Sequence, residues 1–431
     1  MKCRYIEGSK ESLVEISEAL GMRGKMALEP IIATVQEIIE QVKMYGDGAI
    51  LDYTKRFDGA DLSESLFRVT EEEIQAGLSM VDDKLINIMN KAARNIRTFH
   101  EKQKEEGYSI KLNENAEIGM LVRPLSVVGV YVPAGTAPLP STVLMDAIPA
   151  KVAGVPRVIL CSPPRKDGSL DPSILAAAQL SGVDEIYKIG GAQAIAAMAY
   201  GTATVPRVDK VCGPGNIYVN TAKRLLFGQI DIDMFAGPSE ILIVADESAN
   251  PEFVAADMLS QAEHDKLASA ILLTTDLSLA EAVMQALDRR SEKSSRIHIL
   301  AESMKDYCAI ITVPSLEDAF AFSEELAPEH LELCVKNPDA WIGKIKNAGA
   351  IFVGNYSPES VGDYFAGPNH TLPTSGTARF FSPLNVGDFT KKISLIRYDE
   401  AMLKSCYEDI ASFARAEGLE AHAQAVEVRF E

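Results

Sequence analysis

Short apolar runs alternating with helical patterns predict an α/β protein of two Rossmann-like βαβ domains, with an N-terminal helical arm and a C-terminal helical tail. Three observations carry this. The run Val127-Val128-Gly129-Val130-Tyr131-Val132 opens one strand–helix series, and Glu240-Ile241-Leu242-Ile243-Val244-Ala245 opens a second. The chain has 431 residues, too many for one small core. Neither series contains a GxGxxG, so the usual dinucleotide fingerprint is missing.

In order, residues 1–24 read as an arm with one short helix. Residues 30–57 and 71–105 read as long helices, with Ile31, Val35, Ile38, Ile39 and Val42 at helical spacing. The first series then runs as a strand at 127–132, a helix at 141–153 N-capped by Ser141, and a strand at 158–161. A helix at 173–180, a strand at 185–189, a loop-entered helix at 190–200 and a strand at 210–212 complete it. The second series places strands at 240–245, 270–273, 309–313, 331–335 and 350–353, with helices at 251–265, 279–287 and 316–326. From about 385 a turn, a strand at 393–398 and a helical tail follow. The predicted domains are therefore 126–239 and, discontinuously, 25–125 with 240–384, and the second array is either a duplication of the first or an independent one.

Composition narrows the class. The chain is 47% hydrophobic and 24% charged, with a formal charge of −19. No basic stripe is present to neutralise phosphates, so nucleic acid is not an expected partner. The six cysteines are scattered with no CxxC, as buried thiols of a reducing compartment would be. The apolar stretch 127–160 is broken by Pro133, Pro138, Pro140, Asp146, Pro149 and Lys151, and so is not a membrane span. The first residues lack a signal-peptide core, and a cytoplasmic protein is expected.

Six histidines serve the chain, and four sit in polar motifs. Imidazole beside carboxylate suits metal ligation and proton transfer near neutral pH. Gln261 and His264, spaced i, i+3, share one face at the end of an apolar helix. His264 there is either a partner of the helix dipole or half of a metal site, and the residues themselves nominate it with Glu263 or Asp363. Glu329-His330 sits between a helix and a strand, where His330 suits a general base and Glu329 proton removal from water or an alcohol. The stretch Ser357-Pro358-Glu359-Ser360-Val361-Gly362-Asp363-Tyr364, then Gly367-Pro368-Asn369-His370, carries more Asp, Asn and His than a connector needs. Glu417 to His422 lies on what reads alone as an amphipathic terminal helix. Two strand-to-helix turns, Gly190-Gly191-Ala192-Gln193 and Gly213-Pro214-Gly215-Asn216, put free N–H groups where a helix begins, and are either phosphate cradles or tight structural turns.

Taken together, these motifs resemble histidinol dehydrogenase over essentially the whole chain. The resemblance rests on Arg123-Pro124, Gly129 to Pro133, Leu139 to Val143, Gly190 to Ala196, Val211 to Asn216, Ile232 to Met234 and Ala236 to Glu240. Ser260 to His264, Pro328 to His330, Ser357 to Asp363 and Glu417 to His422 complete it. It implies a four-electron oxidation of L-histidinol to L-histidine through the aldehyde, with two NAD+ used in turn. It further implies a homodimer in which zinc is held by Gln261, His264 and Asp363 of one subunit and His422 of the other, so that the tail from 385 completes the other subunit's site. Glu329 and His330 are the implied acid–base pair. Ser239, Gln261, His264, His330, Asp363, Glu417 and His422 are the implied substrate contacts, with His370 able to join them, and Tyr131, Gln193 and Asn216 are implied at the NAD site of domain 126–239. Ala134, where many relatives have a second Gly before Gly135, and Pro368 depart from the family pattern without touching an implied ligand. Two other readings compete: a relative acting on another amino alcohol, and a non-catalytic NAD- or zinc-binding protein.

Overall fold

The computed structural model describes residues 3–21, 23, 28–63, 67–134, 138–235 and 237–431, so Gly135 and Ala236 of the motifs above lie outside the described residues. The chain forms two compact units, Met1–Gln103 with Ser126–Phe389, and Lys104–Leu125 with Thr390–Glu431.

The first unit holds two parallel sheets. In one, the strands lie in the order Glu185–Lys188, Arg157–Ser162, Val127–Tyr131, Lys210–Cys212, Asp231–Ile232. In the other the order is Arg4–Glu7, Ala309–Thr312, Ser269–Thr274, Glu240–Ala245, His330–Cys334, Ala350–Val353. If the N-terminal edge strand is set aside, both arrays run third, second, first, fourth, fifth in chain order. Their strands are near-continuous Val, Ile and Leu because helices cover both faces. The residues 1–24 read as a helical arm thus also supply an edge strand, Arg4–Glu7, paired parallel with Ala309–Thr312.

The two long N-terminal helices are each broken. Gly46, at φ 54°, separates Leu28–Tyr45 from Asp47–Phe57, a backbone conformation that favours glycine. Glu71–Met80 starts at a capping box made by Thr70 and Glu73, and Asp82 caps a new helix, Asp83–Glu101. The helix Pro140–Val152 begins with Pro140 in its first turn after Leu139, and Ser141 lies inside it rather than capping it.

Domain grouping also differs from the expectation that 25–125 join 240–384. Val35, Ile38, Ile39, Val42, Ile50 and Phe67 share one core with Tyr131, Ile159, Ile195 and Val211, so these N-terminal helices cover the 126–239 array. Residues 104–125 leave that unit altogether. Tyr108–Asn113, Ala116–Pro124 and Thr390–Tyr398 form an antiparallel sheet, paired from Thr390 with Pro124 to Tyr398 with Ala116. Helices Tyr407–Ala416 and Glu420–Glu427 follow in the same unit, where Arg415 pairs with Glu420 and Glu427. Among the described residues no helix is long and apolar enough to cross a membrane.

Leu242 is fully buried in a central strand, whereas Ile396 is 75% exposed. Leu242→Ala is expected to cost about 2–5 kcal/mol, and Ile396→Ala no more than about 0.5 kcal/mol, measured by urea denaturation.

Candidate active site

The site is built on the amino edge of two neighbouring strands. Glu240–Ala245 and His330–Cys334 pair in parallel, with His330 opposite Ile241. Glu240 uses both backbone groups sideways. Its N–H donates to Glu329 Oε2 at 2.8 Å, and its carbonyl lies 3.1 Å from His330 Nδ1. A carbonyl only accepts, so the proton is assigned to Nδ1 and the lone pair to Nε2. Nε2 is buried without a hydrogen-bond partner, 3.8 Å from Glu359 Oε1 and 4.0 Å from Asp363 Oδ1. Glu240 is itself held by a buried ion pair with Arg23 and by Ser375 N–H at 3.0 Å. Ser239 precedes this strand, and its carbonyl accepts from Ser269 N–H at 3.0 Å.

Two helices complete the group. Pro251–Ala262 follows the Glu240–Ala245 strand and returns to its amino edge, delivering Gln261 in its last turn and His264 just beyond. Glu359–Tyr364 brings Glu359 and Asp363 together, one turn apart. It packs tightly enough that a Cβ on Gly362 would stand 2.7 Å from Phe352 Cε1. Gln261 is fully buried. With its amide turned to satisfy its neighbours, the nitrogen donates to Glu359 Oε1 at 2.8 Å, which turns the amide oxygen away from that carboxylate. That nitrogen is also 3.1 Å from His330 Nδ1; the Glu240 carbonyl decides the ring's proton there. His370 Nδ1 donates to the Asp363 carbonyl at 3.0 Å, which ties a second ring to the same helix.

Burial sets the electrostatics. Desolvation, then the charges of Glu240 and Asp363, push Glu329 well above the usual carboxylate range. Desolvation, then Asp363, Glu329 and Glu332, do the same to Glu359. Burial raises Asp363 to about 7, and lowers His330 to about 3 and His370 to about 4. His264, with a side chain 44% exposed, is lowered by desolvation and by Arg296.

His264, Glu359 and Asp363 each offer a ligand atom, all within 4.8 Å of one another. Imidazole nitrogen and carboxylate oxygen, with the Gln261 oxygen beside them, are a donor set that fits a divalent cation such as zinc. The C-terminal end of the Pro251–Ala262 helix adds partial negative charge there. The acid in the group with His264 and Asp363 is Glu359, not Glu263. Sequence alone assigns Glu359 no role; its signal is the i, i+4 spacing to Asp363, visible once 359–364 is read as a helix.

A cavity of about 1630 Å³ borders this group. His264 and Tyr364 line it, and so do Tyr131, Gln193 and Asn216 with the two glycine turns. Gly191, at φ +65°, donates its N–H to Tyr131 Oη at 3.0 Å. Both polar atoms of the Gln193 side chain are buried without partners. Asn216 Oδ1 caps the helix Ile217–Leu226, accepting from Tyr218 and Val219. The structure thus brings Gln261, His264, Glu329, His330, Asp363 and His370 together, with Tyr131, Gln193 and Asn216 on the adjoining cavity. Glu417 and His422 belong to the other unit and are exposed on it.

Residues 22–430 match the family model described as histidinol dehydrogenase. The chain is 51% identical to the histidinol dehydrogenase of Bacillus cereus, over 99% of this chain and 98% of that one. It is 48% identical to that of Listeria innocua, over 99% of both chains. The crystal structure of histidinol dehydrogenase from Elizabethkingia anophelis superposes with a TM-score of 0.93 at 40% identity, covering 99% of this chain and 98% of that one. With full-length identity near one half, the same fold and an acid–base cluster beside a large cavity, the chain belongs to the histidinol dehydrogenase family of oxidoreductases.

Proposed function

We propose that the protein oxidises L-histidinol to L-histidine through L-histidinaldehyde, with zinc and two NAD+ taken in turn, as the last steps of histidine biosynthesis in the cytoplasm. The observation that carries this is the His330 ring, fixed by the Glu240 carbonyl with its Nε2 unpartnered and facing the acids. Such a ring accepts a proton at one nitrogen only, and in a set direction.

Gln261, His264 and Asp363, with His422 of the partner subunit, would hold the zinc, which would position the substrate's amine and imidazole nitrogens, while each NAD+ would accept two electrons as hydride. His330 takes the alcohol proton on Nε2 as the aldehyde forms. Glu329 removes a proton from the water that adds to the aldehyde while His330 returns its own proton to the aldehyde oxygen, and the raised basicity of Glu329 suits that task. His330 then takes a hydroxyl proton of the hydrate as the acid forms. Ser239 and Glu417 hold the substrate together with the ligands, and His370 supports it from beside Asp363. Glu359, hydrogen-bonded to the Gln261 nitrogen, keeps the amide oxygen turned to the cation. Tyr131, Gln193 and Asn216 receive NAD+ in the cavity. Domain 126–239, with the helices that cover it, is the cofactor half; 240–384 carries the chemistry, and the 385–431 tail serves the partner subunit's site in a homodimer.

Four measurements test this reading. Purified protein supplied with L-histidinol should reduce NAD+; no reduction would remove the substrate assignment. Glu329→Gln and His330→Asn should each slow aldehyde-to-acid turnover by about 10²–10⁴-fold, and wild-type rates for either would remove its role. Chelation should abolish NAD+ reduction and added Zn2+ should restore it; unchanged activity in protein verified metal-free would exclude a zinc requirement. Verified heterodimers of His422→Ala and Gln261→Ala subunits contain one site with both ligands intact and should recover activity; no recovery would exclude a shared site.

A further inference from the structure

Asp146 lies in the interior of the Pro140–Val152 helix with no exposed surface, and no role in catalysis or binding falls to it above. Its two oxygens meet different parts of the protein. Oδ1 accepts from Thr371 Oγ1 at 2.8 Å. Oδ2 has no hydrogen-bond partner and sits 3.1 Å from the point a Cβ on Gly213 would occupy.

Each side is itself fixed. Gly213, at φ +112°, donates its N–H to Asp233 Oδ2 at 2.8 Å and accepts from Lys223 Nζ at 2.9 Å. Lys223 and Asp233 form a buried ion pair. This locks the Gly213-Pro214-Gly215-Asn216 turn that lines the cofactor cavity. On the other side, Thr371 N–H donates to Asn369 Oδ1 at 2.8 Å, and Asn369 Nδ2 donates to the Met145 carbonyl at 2.6 Å. Asn369 and Thr371 therefore clamp His370 from both flanks onto the helix that carries Asp146, while the His370 ring holds the Asp363 carbonyl.

We infer that Asp146 is a positioning residue, which sets the spacing between the cofactor-side turn at Gly213 and the substrate-side loop at His370 through one buried carboxyl group. The inference rests on the NAD and histidinol reading above. A misplacement of about 1 Å between reacting partners lowers rates by up to about 10²-fold, so a spacer that touches neither ligand still governs turnover. Burial, then the charge of Asp233, pushes the Asp146 carboxyl up to about 8. This shift favours the neutral acid, which an amide mimics in shape and in hydrogen bonding.

The test compares Asp146→Asn, Asp146→Ala and Thr371→Val in the zinc-loaded dimer, with rates expressed per folded subunit. Asp146→Ala should lower kcat about tenfold or more, with both KM values within about threefold. Asp146→Asn should stay within about twofold of wild type, because it keeps the acceptor and the shape. Thr371→Val should fall in the same direction, and the double variant with Asp146→Ala should fall no further than Asp146→Ala alone. A kcat unchanged in Asp146→Ala while its Tm drops would overturn the inference in favour of a purely structural role. An Asp146→Asn variant as impaired as Asp146→Ala would overturn it in favour of a needed charge. Should Asp146→Ala fail to fold, Thr371→Val decides alone by the same criterion. Hydrogen exchange separates this inference from the functional reading: NAD+ should protect amides 368–372 in wild type but not in Asp146→Ala. That protection in a protein inactive on histidinol would sink the substrate assignment and leave the spacer standing, whereas turnover without it would do the reverse.

Discussion

The register between two parallel strands governs the whole candidate site. Glu240–Ala245 and His330–Cys334 lie side by side, and a single residue, Glu240, orients both Glu329 and His330 through its backbone. Side chains alternate across a strand, so a slip of one residue would turn His330 to the opposite face. The alternation is visible in the same strand. Leu331 and Leu333 enter the core with Phe320 and Phe322, while His330 and Glu332 face the helices that carry Gln261, Asp257, Glu359 and Asp363. The orientation of the candidate-site side chains and the packing of the core are therefore two consequences of one pairing.

That placement concentrates acids where water is scarce. Glu329, Glu332 and Glu359 are buried, and Asp257 and Asp363 lie beside them. Burial drives these carboxyls up and His330 down, so each group tends toward its neutral form. Buried charges persist when they are paired or coordinate a metal. A set of carboxylate and amide oxygens with an imidazole nitrogen, at a helix C-terminus, is suited to a cation for that reason, and Glu359 contributes by holding the Gln261 nitrogen.

The two parallel sheets share a strand order but use opposite edges. In the array of Val127–Tyr131 and Lys210–Cys212, the cavity opens at the carboxyl ends of the two strands flanking the reversal of order, the usual place for a ligand in an open α/β sheet. In the other array the equivalent carboxyl edge is closed by Asp246, which accepts from Ser248 and Lys336 N–H groups and donates its own N–H to the Cys334 carbonyl. Its candidate site lies at the amino edge instead, where His330 and Gln261 stand. Asp146 and the Asn369–Thr371 clamp tie the Pro140–Val152 helix to the 369–371 segment beside the Gly213 turn.

Both βαβ arrays are legible in the amino-acid order, because periodicity and turn residues are local. Strands at 210–212, 240–245 and 350–353 and the helix at 316–326 match to the residue. That order also exposes Gln261, His264, Glu329, His330 and Asp363, since polar residues in short motifs stand out against apolar elements. Tertiary structure decided the rest. The helix breaks at Gly46 and Asp82 interrupt patterns that stay apolar on one face, and periodicity alone passes over them. The sheet of Ala116–Pro124 and Thr390–Tyr398 joins segments more than two hundred residues apart, a pairing that no local pattern encodes. Glu359 gains a role only when a helix sets it beside Asp363 and Gln261, and the tautomer of His330 only when a neighbouring strand presents a carbonyl. Residue types decide which chemistry is available, and side-by-side packing of distant segments decides which atoms meet.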